Sequence, residues 1–199
     1  GMGAALYMAL TRTLMRTYAQ EGAAKPHQVL QEVNGRILAD TEGGYYVTLF
    51  YGILDLKTGV LDYSNAGHPP GVLVRGPETD RLKVLGRTGP PLGVSKQAPW
   101  ESSVISIQPG NHLILYTDGI SEARDSSSQL FGIERVIQAA LASSARSASE
   151  TQDMILKLVE RFAGEQPRAD DIALVVASRI LAESDTTAFH PVLPPLART

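Results

Sequence analysis

From Tyr45 onward the hydrophobic pattern of this chain changes from a helical period to short runs. Tyr45–Leu54, Val60–Asn65, Gly71–Arg75, Arg81–Leu85, Glu101–Ile107 and His112–Thr117 are rich in β-branched and aromatic residues. Turn formers separate them: Asp55-Leu56-Lys57-Thr58-Gly59, Gly76-Pro77 and Gln108-Pro109-Gly110. Strands that follow one another without intervening helices specify an antiparallel meander and exclude a βαβ alternation.

Helical periodicity flanks the meander on both sides. Residues 4–21 predict a helix on Leu6, Leu10 and Leu14, with Met8 and Met15 beside them. Gly22 ends it. Pro26 opens a second helix at its first turn, where a missing N–H costs nothing. Its apolar face is Val29, Leu30, Val33, Ile37 and Leu38, and Gly35 inside it predicts close packing. Ile133, Val136, Ile137 and Leu141 mark a third helix. Ser149-Glu150-Thr151-Gln152 reads as a capping box opening a fourth, which carries Ile155, Leu158, Val159 and Phe162 and ends at Gly164. Ile172–Ser178 is a last strand whose unbroken apolar character predicts a central place in a sheet. The fold class is α+β, with single-striped helices that must bury against a sheet.

Length and charge narrow the function. The 199 residues suit one domain, and 43% hydrophobic content can build a core. A net charge of −3 gives no basic face for nucleic acid. Without cysteine there are no disulfides or thiolate metal sites, and the composition suits a cytoplasmic setting. No run is long enough for a membrane span.

Two acidic segments carry the chemistry. Asp118 ends the run Leu113-Ile114-Leu115-Tyr116, and Asp170-Asp171 opens Ile172 to Val176. Carboxylates fixed at strand ends are natural ligands of Mg²⁺ or Mn²⁺, metals that activate water for phosphate-ester hydrolysis. Each segment alone reads first as a turn or a solvated strand end. A third segment, Tyr63-Ser64-Asn65-Ala66-Gly67-His68-Pro69-Pro70, makes the set more specific.

With Gly3-Ala4-Ala5-Leu6-Tyr7-Met8, Tyr46-Val47-Thr48-Leu49-Phe50-Tyr51-Gly52 and Gly89-Pro90-Pro91-Leu92-Gly93, these segments resemble the PPM (PP2C-like) serine/threonine phosphatases. The similarity is to the bacterial branch typified by SpoIIE and RsbU. It runs over residues 1–180 and leaves 181–199 as a C-terminal tail. The resemblance implies a PP2C-like antiparallel β-sandwich flanked by helices. It implies two Mn²⁺ or Mg²⁺ ions per complete domain, with Asp118 and Asp170 as ligands and Gly119 at the metal site. Asp171 stands where many relatives have Asn. Only one of the two neighbouring carboxylates should face the metal, since successive strand side chains alternate.

His68 reads equally as a weak ligand or proton donor and as a residue that caps the loop before Pro69-Pro70. Asn65 reads as ordering that loop. His27, His112 and His190 share no metal-ligand spacing and read as surface or loop residues. Arg75, Arg81 and Arg87 are candidates for phosphate binding, with plain solvated charge the simpler reading.

The resemblance also implies what this chain lacks. The family carries further acidic ligands in a Gly-Asp-Val-Ser-Gly-type motif just before the helix that here begins at Gly3. Gly1-Met2 reads as a tag remnant and a start methionine, so an N-terminally truncated, poorly active domain is expected. The implied substrate is a phosphorylated anti-anti-sigma factor of the STAS type. The alternative is a non-catalytic protein-binding module. Missing sandwich strands leave free edges, so a homodimer is a further expectation.

Overall fold

The computed structural model describes residues 2–20, 25–40, 44–75, 81–144, 146–167 and 170–180. The expected tail at 181–199, with His190, lies outside the described residues. The chain runs α1 (Met2–Gln20), α2 (Pro26–Asp40), β1 (Leu49–Leu54), β2 (Val60–Ala66), β3 (Gly71–Val74), β4 (Leu82–Leu85), β5 (Ser103–Ser106) and β6 (His112–Tyr116). It continues through α3 (Asp118–Ser121), α4 (Gly132–Ala142), α5 (Ala148–Ala163) and β7 (Leu174–Ser178). Two antiparallel sheets form, ordered β1-β2-β5 and β4-β3-β6-β7.

Strand alternation builds four layers. Leu73 and Leu113 point to one face of their strands and pack with Leu61, Tyr63 and Ile105 of the other sheet. Val72, Val74, Ile114 and Tyr116 point the opposite way and pack under α4 and α5 with Val136, Ile155 and Val159. On the far side of the molecule, Val29, Leu30, Val33 and Ile37 of α2 cover the three-stranded sheet at Ala66. Strands β3 and β6 are thus apolar on both faces because both faces are covered. The sheets are also tied at one end. The Arg179 guanidinium donates to the Thr58, Ile107 and Lys57 carbonyls at 2.7, 2.8 and 3.0 Å. The expected helix-flanked β-sandwich is therefore present.

Several local expectations need correction. The buried stripe of α1 is Tyr7 and Thr11, with Leu14, Met15 and Tyr18 packed behind them, whereas Leu6 and Met8 are each 66% exposed. The stripe is one residue out of phase with the leucine pattern because Tyr7 reaches across to donate its hydroxyl to the Tyr45 carbonyl at 3.0 Å. Gly35 does not mark close packing: it is exposed, and a Cβ there would meet nothing within 4 Å. The first predicted strand starts later, at Leu49, after an isolated bridge between Val47 and Leu92.

The capping box of α5 is formed by Ser147, not by the stretch from Ser149. The Ser147 hydroxyl accepts from the Glu150 N–H at 3.2 Å, and the Glu150 carboxylate accepts from the Ser147 N–H at 2.8 Å. Among the described residues β7 is an edge strand, not a central one. Its apolar residues serve different surfaces: Leu174 and Val176 pack into the helix-covered core, and Val175 is 58% exposed on the other face. His112 is neither loop nor surface. It is buried in β6, with Nδ1 2.6 Å from the Ser178 hydroxyl across the β6–β7 pair.

Candidate active site

Strands β6 and β7 pair antiparallel, with Tyr116 opposite Leu174. This register carries the two acidic segments to the same end of the sheet. Past Tyr116 the chain turns into the four-residue helix α3, which the sequence reading missed and which starts at Asp118. Before β7, Asp170–Ala173 runs alongside. Thr117 stitches the two segments. Its N–H donates to the Ala173 carbonyl at 3.0 Å, its hydroxyl donates to the Asp171 carbonyl at 3.1 Å, and the same hydroxyl accepts from the Ala173 N–H at 2.9 Å.

Gly119 completes the contact. A Cβ built on it would collide with the Asp171 carbonyl oxygen and lie 2.9 Å from the carbonyl carbon and 3.3 Å from the Asp170 oxygen. The bare backbone of Gly119 admits the main chain of the other acidic segment. Asp170 accepts the Asp171 N–H on its own Oδ1 at 2.8 Å, so its carboxylate orders the turn into β7. The backbone carbonyl of Asp171 takes the Thr117 bond.

His68 reaches the site from the β2–β3 loop. Its N–H donates to Asn65 Oδ1 at 2.8 Å, which is the loop-ordering role expected of Asn65. Its Nδ1 lies 3.2 Å from the Thr48 hydroxyl. Burial pushes the His68 pKa below its ordinary 6.5, and the Asp118 charge and a hydrogen bond to the Tyr116 backbone pull it part of the way back. His68 is therefore within electrostatic reach of Asp118 and is mostly neutral at pH 7.

The sign of the pH effect follows. A folded-state pKa below 6.5 means the unfolded chain binds the proton better. The stability this group contributes is full above the unfolded value and is lost as pH falls through the folded one. An NMR titration of the imidazole should place His68 below 6.5, and Asp118→Asn should lower it further by removing the charge that raises it. An unchanged or higher value in the variant contradicts the coupling.

Asp118 opens on a cleft of about 560 Å³, with Thr48, Arg87, Tyr116 and Glu122 among its lining residues. Tyr116 is nearly fully buried, and its hydroxyl has no hydrogen-bond partner among the described residues. Burial, with the Glu134 charge adding to it, pushes the Tyr116 pKa up to about 12, so the hydroxyl stays protonated. Of the three meander arginines only Arg87 lines this cleft. Arg81 bonds the Ser144 hydroxyl at 3.2 Å, well away in sequence at the end of α4. His27 lies elsewhere, its Nδ1 2.8 Å from the Ser102 hydroxyl.

The donors at this end of the sheet are carboxylate, hydroxyl and carbonyl oxygens, the chemistry a hard divalent cation takes. Among the described residues no group of three or more His, Asp or Glu side chains is placed to hold a metal ion. Asp118 and Asp170 alone are too few to hold two ions.

A model of the stage II sporulation protein E (SpoIIE) family matches residues 1–180. The chain belongs to the SpoIIE family. This is a family of PP2C-type phosphatases, as the sequence segments implied. Protein IcfG of Synechocystis sp. is 30% identical over 205 residues, covering 90% of this chain and 32% of that protein. Phosphoserine phosphatase RsbU of Bacillus subtilis is 25% identical, covering 90% of this chain and 52% of that protein. The SpoIIE-family chain thus spans a third to a half of these relatives' length. The SiaA-PP2C domain of Pseudomonas aeruginosa superposes with a TM-score of 0.76 at 19% identity, over 90% of this chain and 70% of that one. Among the described residues no helix is long and apolar enough to cross a membrane.

Proposed function

We propose that the protein containing this chain is a metal-dependent serine/threonine phosphatase acting on a phosphorylated regulatory protein. The observation that carries the proposal is the stitching of Asp118 to the Asp170 segment through Thr117 and Gly119. Asp118 and Asp170 supply part of the ligand set, and further acidic residues of the parent protein would supply the rest. Manganese or magnesium is the proposed metal. Solved neighbours include a SpoIIE phosphatase domain presoaked with Mn and RsbX in complex with magnesium, alike in fold with TM-scores of 0.62 and 0.61. When bound, such ions would lower the pKa of a coordinated water and offset phosphoryl charge.

The chain's own residues position the reaction. Thr117 fixes the spacing of the two acidic segments. His68 holds the loop beside Asp118 through its N–H on Asn65 and its Nδ1 beside the Thr48 hydroxyl, so a positioning role suits it. The proposed substrate is a phosphorylated anti-anti-sigma protein of the STAS type, a reading supported by the similarity to RsbU.

The test compares the 199-residue chain with a longer protein that includes the preceding segment. With millimolar Mn²⁺, the longer protein should hydrolyse a phosphoserine protein and p-nitrophenyl phosphate, and the chain alone should stay near background. Robust Mn²⁺-dependent turnover by the chain alone shows that the site is misplaced. A longer protein that binds the phosphoprotein without hydrolysing it supports instead a non-catalytic binding module.

A further inference from the structure

We propose that Arg87 receives the phosphoryl oxygens of the substrate, an assignment that rests on the phosphatase reading of the Asp118 cleft. Among the described residues, Arg87 is the one cation that lines this cleft, and the other charges there are Asp118 and Glu122. A phosphate monoester carries close to two negative charges, so carboxylates alone repel it. A guanidinium offers a planar fork of donors that matches two phosphoryl oxygens at once.

The base of Arg87 is held and its head is free. The next residue, Thr88, is fixed on every side. Its hydroxyl bonds the Ser64 hydroxyl at 2.8 Å and accepts from the Asn65 N–H at 2.8 Å. Its N–H donates to the Asn65 carbonyl at 2.9 Å, and its carbonyl accepts from the Glu101 N–H at 3.1 Å. Asn65 is the residue whose side chain holds the His68 N–H. Arg87 is therefore rooted on the loop that brings His68 to Asp118. Its side chain is exposed and makes no hydrogen bond or ion pair among the described residues. A guanidinium held at its root, without a partner, at the mouth of an otherwise acidic cleft is set to take an anion. Arg81, by contrast, is already bonded to Ser144.

The experiment measures binding and turnover separately. Fluorescence anisotropy follows a labelled phosphothreonine peptide with uncharged flanks, and its unphosphorylated twin, on the 199-residue chain. The wild type should prefer the phosphorylated peptide. Arg87→Ala should reduce that preference about tenfold, Arg87→Lys should recover only part, and Asp118→Asn should not reduce it. Thermal melting should be unchanged in Arg87→Ala, since the exposed side chain makes no hydrogen bond or ion pair among the described residues. In the longer protein Arg87→Ala should raise KM for p-nitrophenyl phosphate and for the neutral peptide alike, with kcat less affected.

No phosphate preference in the wild type, or an unchanged preference in Arg87→Ala, overturns the inference. So does a loss confined to acidic-flanked peptides while KM for p-nitrophenyl phosphate stands, because Arg87 then reads the flank. A longer protein that never turns over, but loses phosphopeptide preference in Arg87→Ala, overturns the hydrolytic reading and supports the Arg87 assignment.

Discussion

In the longer, metal-loaded protein, Asp118→Asn should lower phosphatase turnover about a hundredfold or more. The substitution keeps the shape of the side chain and removes its charge. A neutral amide is a weak ligand for a hard cation, and even outer-shell changes at metal sites cost about ten- to a hundredfold. The fold should survive, because no hydrogen bond that holds the two acidic segments together uses the Asp118 carboxylate: those bonds run through Thr117 and the backbone. The measurement is kcat at saturating Mn²⁺, with circular dichroism to show the variant folded. Turnover within about twofold of the wild type would remove Asp118 from the site.

Gly119→Ala should both destabilise the protein and disable the site. The added methyl must occupy the place of the Asp171 carbonyl, and main chain cannot swing aside as a flexible side chain can. Overpacking of this kind costs about 1–3 kcal/mol, which lowers the melting temperature by roughly 2–4 °C for each kcal/mol in a chain of this size. Relief of the clash must separate the segments that Thr117 joins, so Asp118 and Asp170 part as well. Gly35→Ala is the natural control. That glycine sits on the exposed face of α2 with open space where the methyl would go, and the change should stabilise by about 0.5–1 kcal/mol. Differential scanning calorimetry of the two variants should therefore show shifts of opposite sign. A Gly119→Ala protein as stable and as active as the wild type would contradict the packing described here.

Much of the fold was legible because local pattern and tertiary burial agree. Strands β3 and β6 read as strands and are buried on both faces, and the helix beginning at Pro26 starts where its proline allows. The misreadings share a cause: periodicity reports which residues are apolar and not which of them find cover. Leu6 and Met8 fit a helical stripe, yet Tyr7 and Thr11 fill the interface. β7 is apolar from Leu174 to Ala177, yet Val175 faces outward at what is a sheet edge among the described residues. Ser149 and Ser147 are both plausible caps, and only the backbone at Ser147 turns the right way.

At the site, the acidic segments could be picked out by their place at the ends of apolar runs. The role of Thr117 could not, because it depends on the β6–β7 register rather than on any local spacing. Nor could the arginines be told apart in sequence. Arg75, Arg81 and Arg87 sit in similar loops, and only the bonds of Thr88 to Ser64 and Asn65 bring Arg87 to the cleft.

Asp118 and Asp170 are proposed to serve one metal centre. Anomalous diffraction at the manganese edge, on crystals of the longer protein grown with Mn²⁺, should then show a manganese peak with carboxylate oxygens of both Asp118 and Asp170 within roughly 2.0–2.6 Å, the range of hard-cation bonds. Manganese bound away from this end of the β6–β7 pair, with both carboxylates facing only water, would contradict it.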